Sequence, residues 1–286
     1  MWAFANSNLL ETVEVPGGLT TIADKAFKGN VSLTNINLSG VTEIGTEAFS
    51  GCTGLTEVNL NSLQTIGESA FAGCSGIMGI MELPKLKKLS FLAFLDCTGI
   101  TSVILSGTEV ISDLAFYRCS NLEKATFSNN LDSIGRKAFC GTKLQTLTFP
   151  ASLSYIGGGA FYNVPLESVT FTKSKKSLTI ANPKGDIMFR EWSDTYYDTY
   201  DSSGAFERTK LKEVVMPEGL VEIGDRAFEE CVNMVSVTLP STLKRIGVME
   251  KDFSGSYTDG AFNRTKIKSI TLPESLEMIG AGTFGD

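Results

Sequence analysis

Two stretches of the chain gather side chains able to do chemistry. The first holds Phe189, Trp192, Tyr196, Tyr197 and Tyr200, interleaved with Asp186, Glu191, Asp194, Asp198 and Asp201. The second holds Phe253 and Tyr257 beside Asp252 and Asp259. Trp and Tyr combine a large contact area with a polar handle, so these rings are candidates to stack on a sugar or to clasp a peptide. The plainer reading is that they form small local cores that order each stretch. The carboxylates are hard oxygen ligands of the kind calcium takes six to eight at a time. Their spacing matches no calcium loop, and no metal or cofactor is expected.

Cysteine is the other reactive residue type. Five of the six, Cys52, Cys74, Cys97, Cys119 and Cys231, stand three residues after a Phe, a slot that Asn30, Thr142, Thr209 and Thr265 fill elsewhere. Asn, Cys and Thr are small polar groups that can hydrogen-bond backbone inside a turn, so the expected arrangement is a buried ladder of free thiols. Side chains in such a ladder point alongside each other rather than toward each other, which disfavours disulfides. Zinc needs converging ligands, and this spacing supplies a row. Cys140 lies off the row.

The chain contains no His. That removes Ser/His/Asp and Cys/His nucleophile systems together with the commonest metal ligand. No carboxylate pair stands out for acid–base work, and no Gly-rich phosphate loop is present, so an enzyme is not expected. With 25 basic against 32 acidic residues and a formal charge of −7, a nucleic-acid partner is not expected either. The nearest basic cluster is Lys173, Lys175 and Lys176. No apolar run reaches the about 18 residues of a membrane span, so direct membrane insertion is not expected.

What must position these residues is a repeat. Ala-Phe returns every 22 or 23 residues, placing Phe27, Phe49, Phe71, Phe94, Phe116, Phe139, Phe161, Phe206, Phe228 and Phe262 in one slot, with Phe4 before them and Phe284 after. Around each Phe the unit reads as Leu211, Val214, Met216, Pro217, Leu220, Ile223, Gly224, Ala227, Phe228 and Cys231. A period near 22 with this apolar spacing lies in the range of leucine-rich repeats, in which each unit is one coil. One coil holds too few inward groups to offset its own chain entropy, so stability has to come from stacking. The slot after the Ile holds Gly45, Gly67, Gly135 and Gly224, but also Ser90, Ser112 and Ala181. This points to a steric limit there rather than to a positive φ.

The unit from Leu211 to Cys231, with its Ile-Gly-x-x-Ala-Phe core, closely resembles the repeat of BspA-like leucine-rich repeat proteins, and the resemblance covers essentially the whole chain. It implies a cell-surface or secreted, non-catalytic recognition or adhesion module whose ligand is a protein of the host matrix or cell surface. It transfers no catalytic residue, because the shared positions are core positions.

The expected fold is therefore a repeat solenoid of the α/β type, mostly β. It is a right-handed stack of about eleven 22–23-residue coils with a parallel β ladder, one elongated domain over residues 1–286, monomeric, with a partial coil at 1–8. Because the first coil lacks its beginning and the last stops after the Phe slot, the chain reads as a piece of a longer solenoid. The Ile-to-Phe interval, five residues in most coils, grows to 26 between Ile180 and Phe206 and to 16 between Ile246 and Phe262. These insertions, 181–204 and 248–260, carry the aromatic clusters and should emerge on one side. A second candidate patch is Met78, Met81 and Ile104, apolar where the exposed strand positions are otherwise polar; the alternative is an irregular coil that tucks them inward, since Ile80-Met81-Glu82-Leu83 carries one extra residue. Two further functional readings stand beside protein binding: glycan binding through the aromatic insertion at 182–203, and a passive spacer in a larger surface protein.

Overall fold

The structure, a computed structural model, describes residues 4–173, 176–181, 203–247 and 260–285. It is a parallel β-solenoid, with no helix among the described residues. Most coils contribute a first short strand, a second short strand ending in the Ile slot, and a tight turn carrying Ala-Phe.

The Phe slot forms the spine of the core. From Phe4 to Phe284 each ring stacks on the next with centroids 5.1–5.5 Å apart and planes within 2–20° of parallel. The rings from Phe27 to Phe262 are buried, together with the Ala before each. Offset stacking of this kind adds about 0.5–1.5 kcal/mol per pair beyond area burial. The row does not stop at the insertions: Phe161 stacks on Phe206, and Phe228 on Phe262.

A backbone ladder follows the rings. Every Phe of the row up to Phe262 donates its N–H to the carbonyl of the residue preceding the next Phe, at 2.7–2.9 Å. Its geometry comes from paired left-handed residues on either side of Ala-Phe. The residue before the Ala has positive φ at Lys25 (57°), Glu47 (52°), Leu92 (56°), Leu114 (59°) and Arg226 (56°). The second residue after the Phe has it at Gly29 (74°), Asp96 (55°) and Arg208 (60°). A left-handed non-Gly residue costs about 1–2 kcal/mol. Here the cost is offset because the conformation aims successive N–H groups at the next coil, as in Lys25 to Thr46, Phe27 to Ala48 and Gly29 to Ser50.

A second ladder runs through the Ile slot. Strands Thr21–Ile22, Glu43–Ile44 and Thr65–Ile66 form one parallel sheet, and eight strands from Lys88–Leu89 to Met278–Ile279 form another. The small residue after each Ile donates its N–H back to the preceding Ile carbonyl, for example Gly45 to Ile22 at 2.8 Å and Gly224 to Ile180 at 2.8 Å. Between the two sheets, Ser90 Oγ donates to the Ile66 carbonyl at 2.6 Å and closes the gap. The steric reading holds at Gly67, where a Cβ would lie 2.3 Å from the Thr46 nitrogen and φ is not in the left-handed region; Gly247, in the same slot, is the exception with φ 72°.

Cys52, Cys74, Cys97, Cys119 and Cys231 are free and buried, each donating Sγ–H to a Phe carbonyl of the coil before at 3.0–3.1 Å. Asn30, Thr142 and Thr265 bond Phe carbonyls from the same slot.

Candidate ligand-binding face

The third ladder, through the first strand of each coil, is broken. It consists of separate parallel sheets: Thr12–Val13 with Asn35–Ile36; Gly79–Glu82, Ile100–Leu105 and Lys124–Phe127; Thr146–Phe149 with Ser168–Phe171; and Glu213–Val215 with Ser236–Thr238. Because the Phe and Ile ladders already hold the coils together, this face is free to vary in what it displays.

The clearest break lies between Lys124–Phe127 and Thr146–Phe149. The residue that fills the inner end of the first strand, Leu38, Leu60, Leu83 or Leu105 in earlier coils, becomes Phe127, Phe149 and Phe171 in succession. Phe127 and Phe149 stack with centroids 5.9 Å apart, wider than the 5.1–5.5 Å of the hydrogen-bonded main row, and their strands are not paired. Phe149 and Phe171 tilt to 33° and approach to 5.0 Å, and their strands remain paired. Phe127 and Phe149 also meet the main row, at Phe139 (5.9 Å) and Phe161 (5.8 Å), which fixes their position. Two residues before Phe127, Ala125 occupies a slot that holds Val103, Leu147, Val169 and Val214 in other coils, leaving a dent.

The result is a half-open cleft of about 490 Å³ lined by Lys124, Ala125, Thr126, Phe127, Asn129, Thr146, Leu147, Thr148, Pro150 and Thr172. Ala125 and Phe127 are partly exposed through it, whereas Val103 and Leu105 one coil earlier are fully buried. A second cleft, of about 460 Å³, opens at the end of the Ser236–Thr238 sheet and is lined by Val237, Thr238, Leu239, Ser241, Ser269, Ile270, Thr271 and Pro273.

Elsewhere the outward residues of this face are mostly polar, Thr, Ser, Asn and Glu, with apolar exceptions. Met78 is 70 % exposed, Ile80 65 % and Val215 68 %. Met81 does not belong to this exposed group: its side chain is buried in the core, aligned with Val103. The extra residue is absorbed at Gly79, which takes φ 81° where the register shifts, so Ile80 rather than Met81 points outward. Ile104 is half-buried, two residues along the neighbouring strand from Ile80's partner Ser102. Ile80 and Ala125 are the residues that the sequence reading passed over. The lone Ala in a Val/Leu/Met slot was the available signal for the second.

The sequence-derived candidates Phe189, Trp192, Tyr196, Tyr197, Tyr200, Phe253 and Tyr257 lie outside the described residues. What is described beside their attachment points is a charged knot on the Phe-turn side. Glu207 and Glu229 are buried and share Arg226, whose guanidinium lies 3.4 Å from Glu207 Oε1 and also donates to Glu229. Glu207 Oε2 accepts the Gly204 N–H at 2.8 Å, and Asn263 donates to Glu229 at 3.3 Å. Arg208 bridges Glu230 and the Tyr162 hydroxyl, each at 2.6 Å, and Arg264 reaches Glu230 from the next coil. Burial pushes the Glu207 carboxyl up to about 7 against the lowering effect of the Gly204 N–H and the arginines. The two arginine bonds hold Glu230 below the usual carboxylate range. Among the described residues no three His, Cys, Asp or Glu side chains converge as a metal site.

Residues 1–101, 77–181 and 200–285 match the BspA type leucine rich repeat region, in six copies. The chain belongs to the BspA-type leucine-rich repeat family. Among solved structures, this BspA-type chain is similar to a leucine-rich repeat protein from Bacteroides ovatus, with 21% identity over 98% of this chain and 77% of that one, at a TM-score of 0.57. It is also similar to a leucine rich cell surface protein from Faecalibacterium prausnitzii, with 23% identity over 96% of this chain and 64% of that one, at a TM-score of 0.52. At these identities the likeness establishes the fold. No curated protein matches the chain.

Proposed function

We propose that this BspA-type chain is a non-catalytic recognition module, displayed at a cell surface, that takes a protein ligand of the host matrix or of another cell on its first-strand face. The observation that carries the reading is the division of labour between ladders. The Phe ladder is unbroken and the Ile ladder is broken once, between Thr65–Ile66 and Lys88–Leu89, while the first-strand face is divided into four separate sheets and presents apolar anchors, Met78, Ile80 and Val215, among polar side chains. An apolar anchor in a polar, desolvatable surround is the arrangement of a protein-binding hot spot. The surface location is supported by the family and by the name of the Faecalibacterium relative.

The test is binding of the purified chain to a panel of immobilised matrix glycoproteins and whole cells, repeated with Ile80→Lys and Val215→Lys. The reading expects saturable binding that one or both substitutions weaken by about tenfold or more, while a charge reversal on the opposite turn, Glu68→Lys, leaves it unchanged. Absence of saturable binding across the panel would favour a passive spacer instead.

A further inference from the structure

We propose that the cleft between Lys124–Phe127 and Thr146–Phe149 is a binding site for an acidic saccharide, a short sugar chain bearing a uronate or sialate carboxylate.

Three features of the cleft point to this class. Its floor is apolar and solvent-accessible, made by Ala125 and Phe127, and a pyranose ring has an apolar C–H face that can lie on such a floor. Its rim carries the hydroxyls of Thr126, Thr146, Thr148 and Thr172. Each hydroxyl both donates and accepts, matching the mixed demands of sugar hydroxyls. Among the described residues that line it, Lys124 is the one charged residue and none is a carboxylate, although the chain as a whole carries a charge of −7. A lone ammonium on a hydroxyl rim attracts one anionic group rather than a polyanion.

The volume, about 490 Å³, falls within the range of about 300–1,000 Å³ usual for small-ligand sites. An acidic peptide is the less favoured occupant. The strands on either side of the split stand too close for a third to be inserted between them, so a peptide would lie across the rim without the main-chain ladder that normally carries its affinity. The second cleft supplies a comparison within the same molecule. It has the same Thr, Ser and Pro setting but no charged lining residue, so it lacks the selectivity for an acid.

The proposal rests on the recognition reading only for the face involved, and its test does not use a protein ligand. The whole chain is titrated against an array of uronate- and sialate-terminated oligosaccharides, their carboxyl-reduced counterparts and an oligoglutamate peptide. Two variants accompany it. Ala125→Val installs the side chain that Val103 and Val169 already place in this slot, filling the dent without disturbing the core, and Lys124→Gln removes the charge.

The expected result is saturable binding of at least one acidic oligosaccharide. Ala125→Val abolishes it, and Lys124→Gln or carboxyl reduction weakens it about tenfold or more, with thermal unfolding unchanged in both variants. Absence of any saturable saccharide binding, binding indifferent to both substitutions, or tighter binding of oligoglutamate would each overturn the assignment. None of these results would bear on whether matrix proteins bind the Ile80 region.

Discussion

Phe228 and Phe262 stack with ring centroids 5.3 Å apart and planes 6° from parallel, although an insertion separates them in sequence; Phe206 and Phe228, with no insertion between, stand at 5.2 Å and 6°. The interior row thus treats the inserted residues as absent. The backbone agrees, since the Phe161 N–H reaches the Ala205 carbonyl at 2.8 Å and the Phe228 N–H reaches Ala261 at 2.7 Å.

Deleting the insertions should therefore leave the solenoid folded. Removing residues 182–202 and 249–259 restores the five-residue Ile-to-Phe interval, because 26 − 21 = 5 and 16 − 11 = 5. The double deletion should retain a single cooperative unfolding transition and a β-type circular dichroism spectrum. Loss of cooperative folding would show that the insertions are structural parts of the stack.

Position within the row should set the cost of losing a ring. Phe139 touches Phe116 and Phe161 by stacking and Phe127 edge-on, and is fully buried. Phe139→Ala should cost about 3–5 kcal/mol in denaturant unfolding. Phe284, 42 % exposed with one stacking partner, should cost well under half of that on replacement by Ala. Equal costs would contradict a cooperative interior row.

The cysteine slot is a hydrogen-bonding slot, and its substitutions should rank accordingly. Cys97→Thr keeps a buried donor, directed to the Phe94 carbonyl of its own coil as Thr142 is to Phe139, and should change stability by less than about 1 kcal/mol. Cys97→Val removes the thiol bond to the Phe71 carbonyl at 3.0 Å, a carbonyl that still accepts the Cys74 N–H, and should cost about 0.5–1.5 kcal/mol beyond the Thr variant. Burial raises the Cys52 thiol to about 11 and pushes Cys97 well up. All six thiols should accordingly resist a disulfide reagent at neutral pH until the chain unfolds. Rapid labelling of the native protein would contradict this.

Glu207 sets a pH dependence of defined sign. Its carboxyl titrates near 7 in the folded chain against 4.5 as the ordinary value, so the folded state binds that proton more tightly than the unfolded state. Its contribution is full below about pH 4.5, declines as pH rises through the interval, and is lost above about 7, amounting to about 3 kcal/mol over the window. Glu207→Gln should flatten that part of the stability profile. A wild-type profile that rises between pH 5 and 7, with the variant parallel to it, would contradict the assignment.

The repeat made the core legible, because a buried slot repeated every coil needs the same residue each time. The Phe row, the Cys row and the small-residue slot after Ile are all readable in that way. The left-handed residues before Ala-Phe were not, since Lys25, Glu47 and Leu92 share no side-chain property; a hydrogen-bonding direction is repeated there, not a residue type. The cleft escaped for another reason. It depends on how far apart Phe127 and Phe149 settle, a packing distance that no single slot records. For Met81 the sequence leaves an outward and an inward placement open, because the extra residue of its coil can be placed before or after it, and the turn at Gly79 decides for the inward one.

Amide hydrogen exchange resolved by residue tests the account most directly, because it reads the three ladders separately without any ligand. The amides of Phe49, Phe94, Phe139 and Phe206, with those of Gly67, Gly135 and Gly224, should exchange only with global unfolding. Amides on the facing edges of Lys124–Phe127 and Thr146–Phe149 should exchange orders of magnitude faster. Uniform protection across all three ladders would contradict the open face on which the binding function is placed.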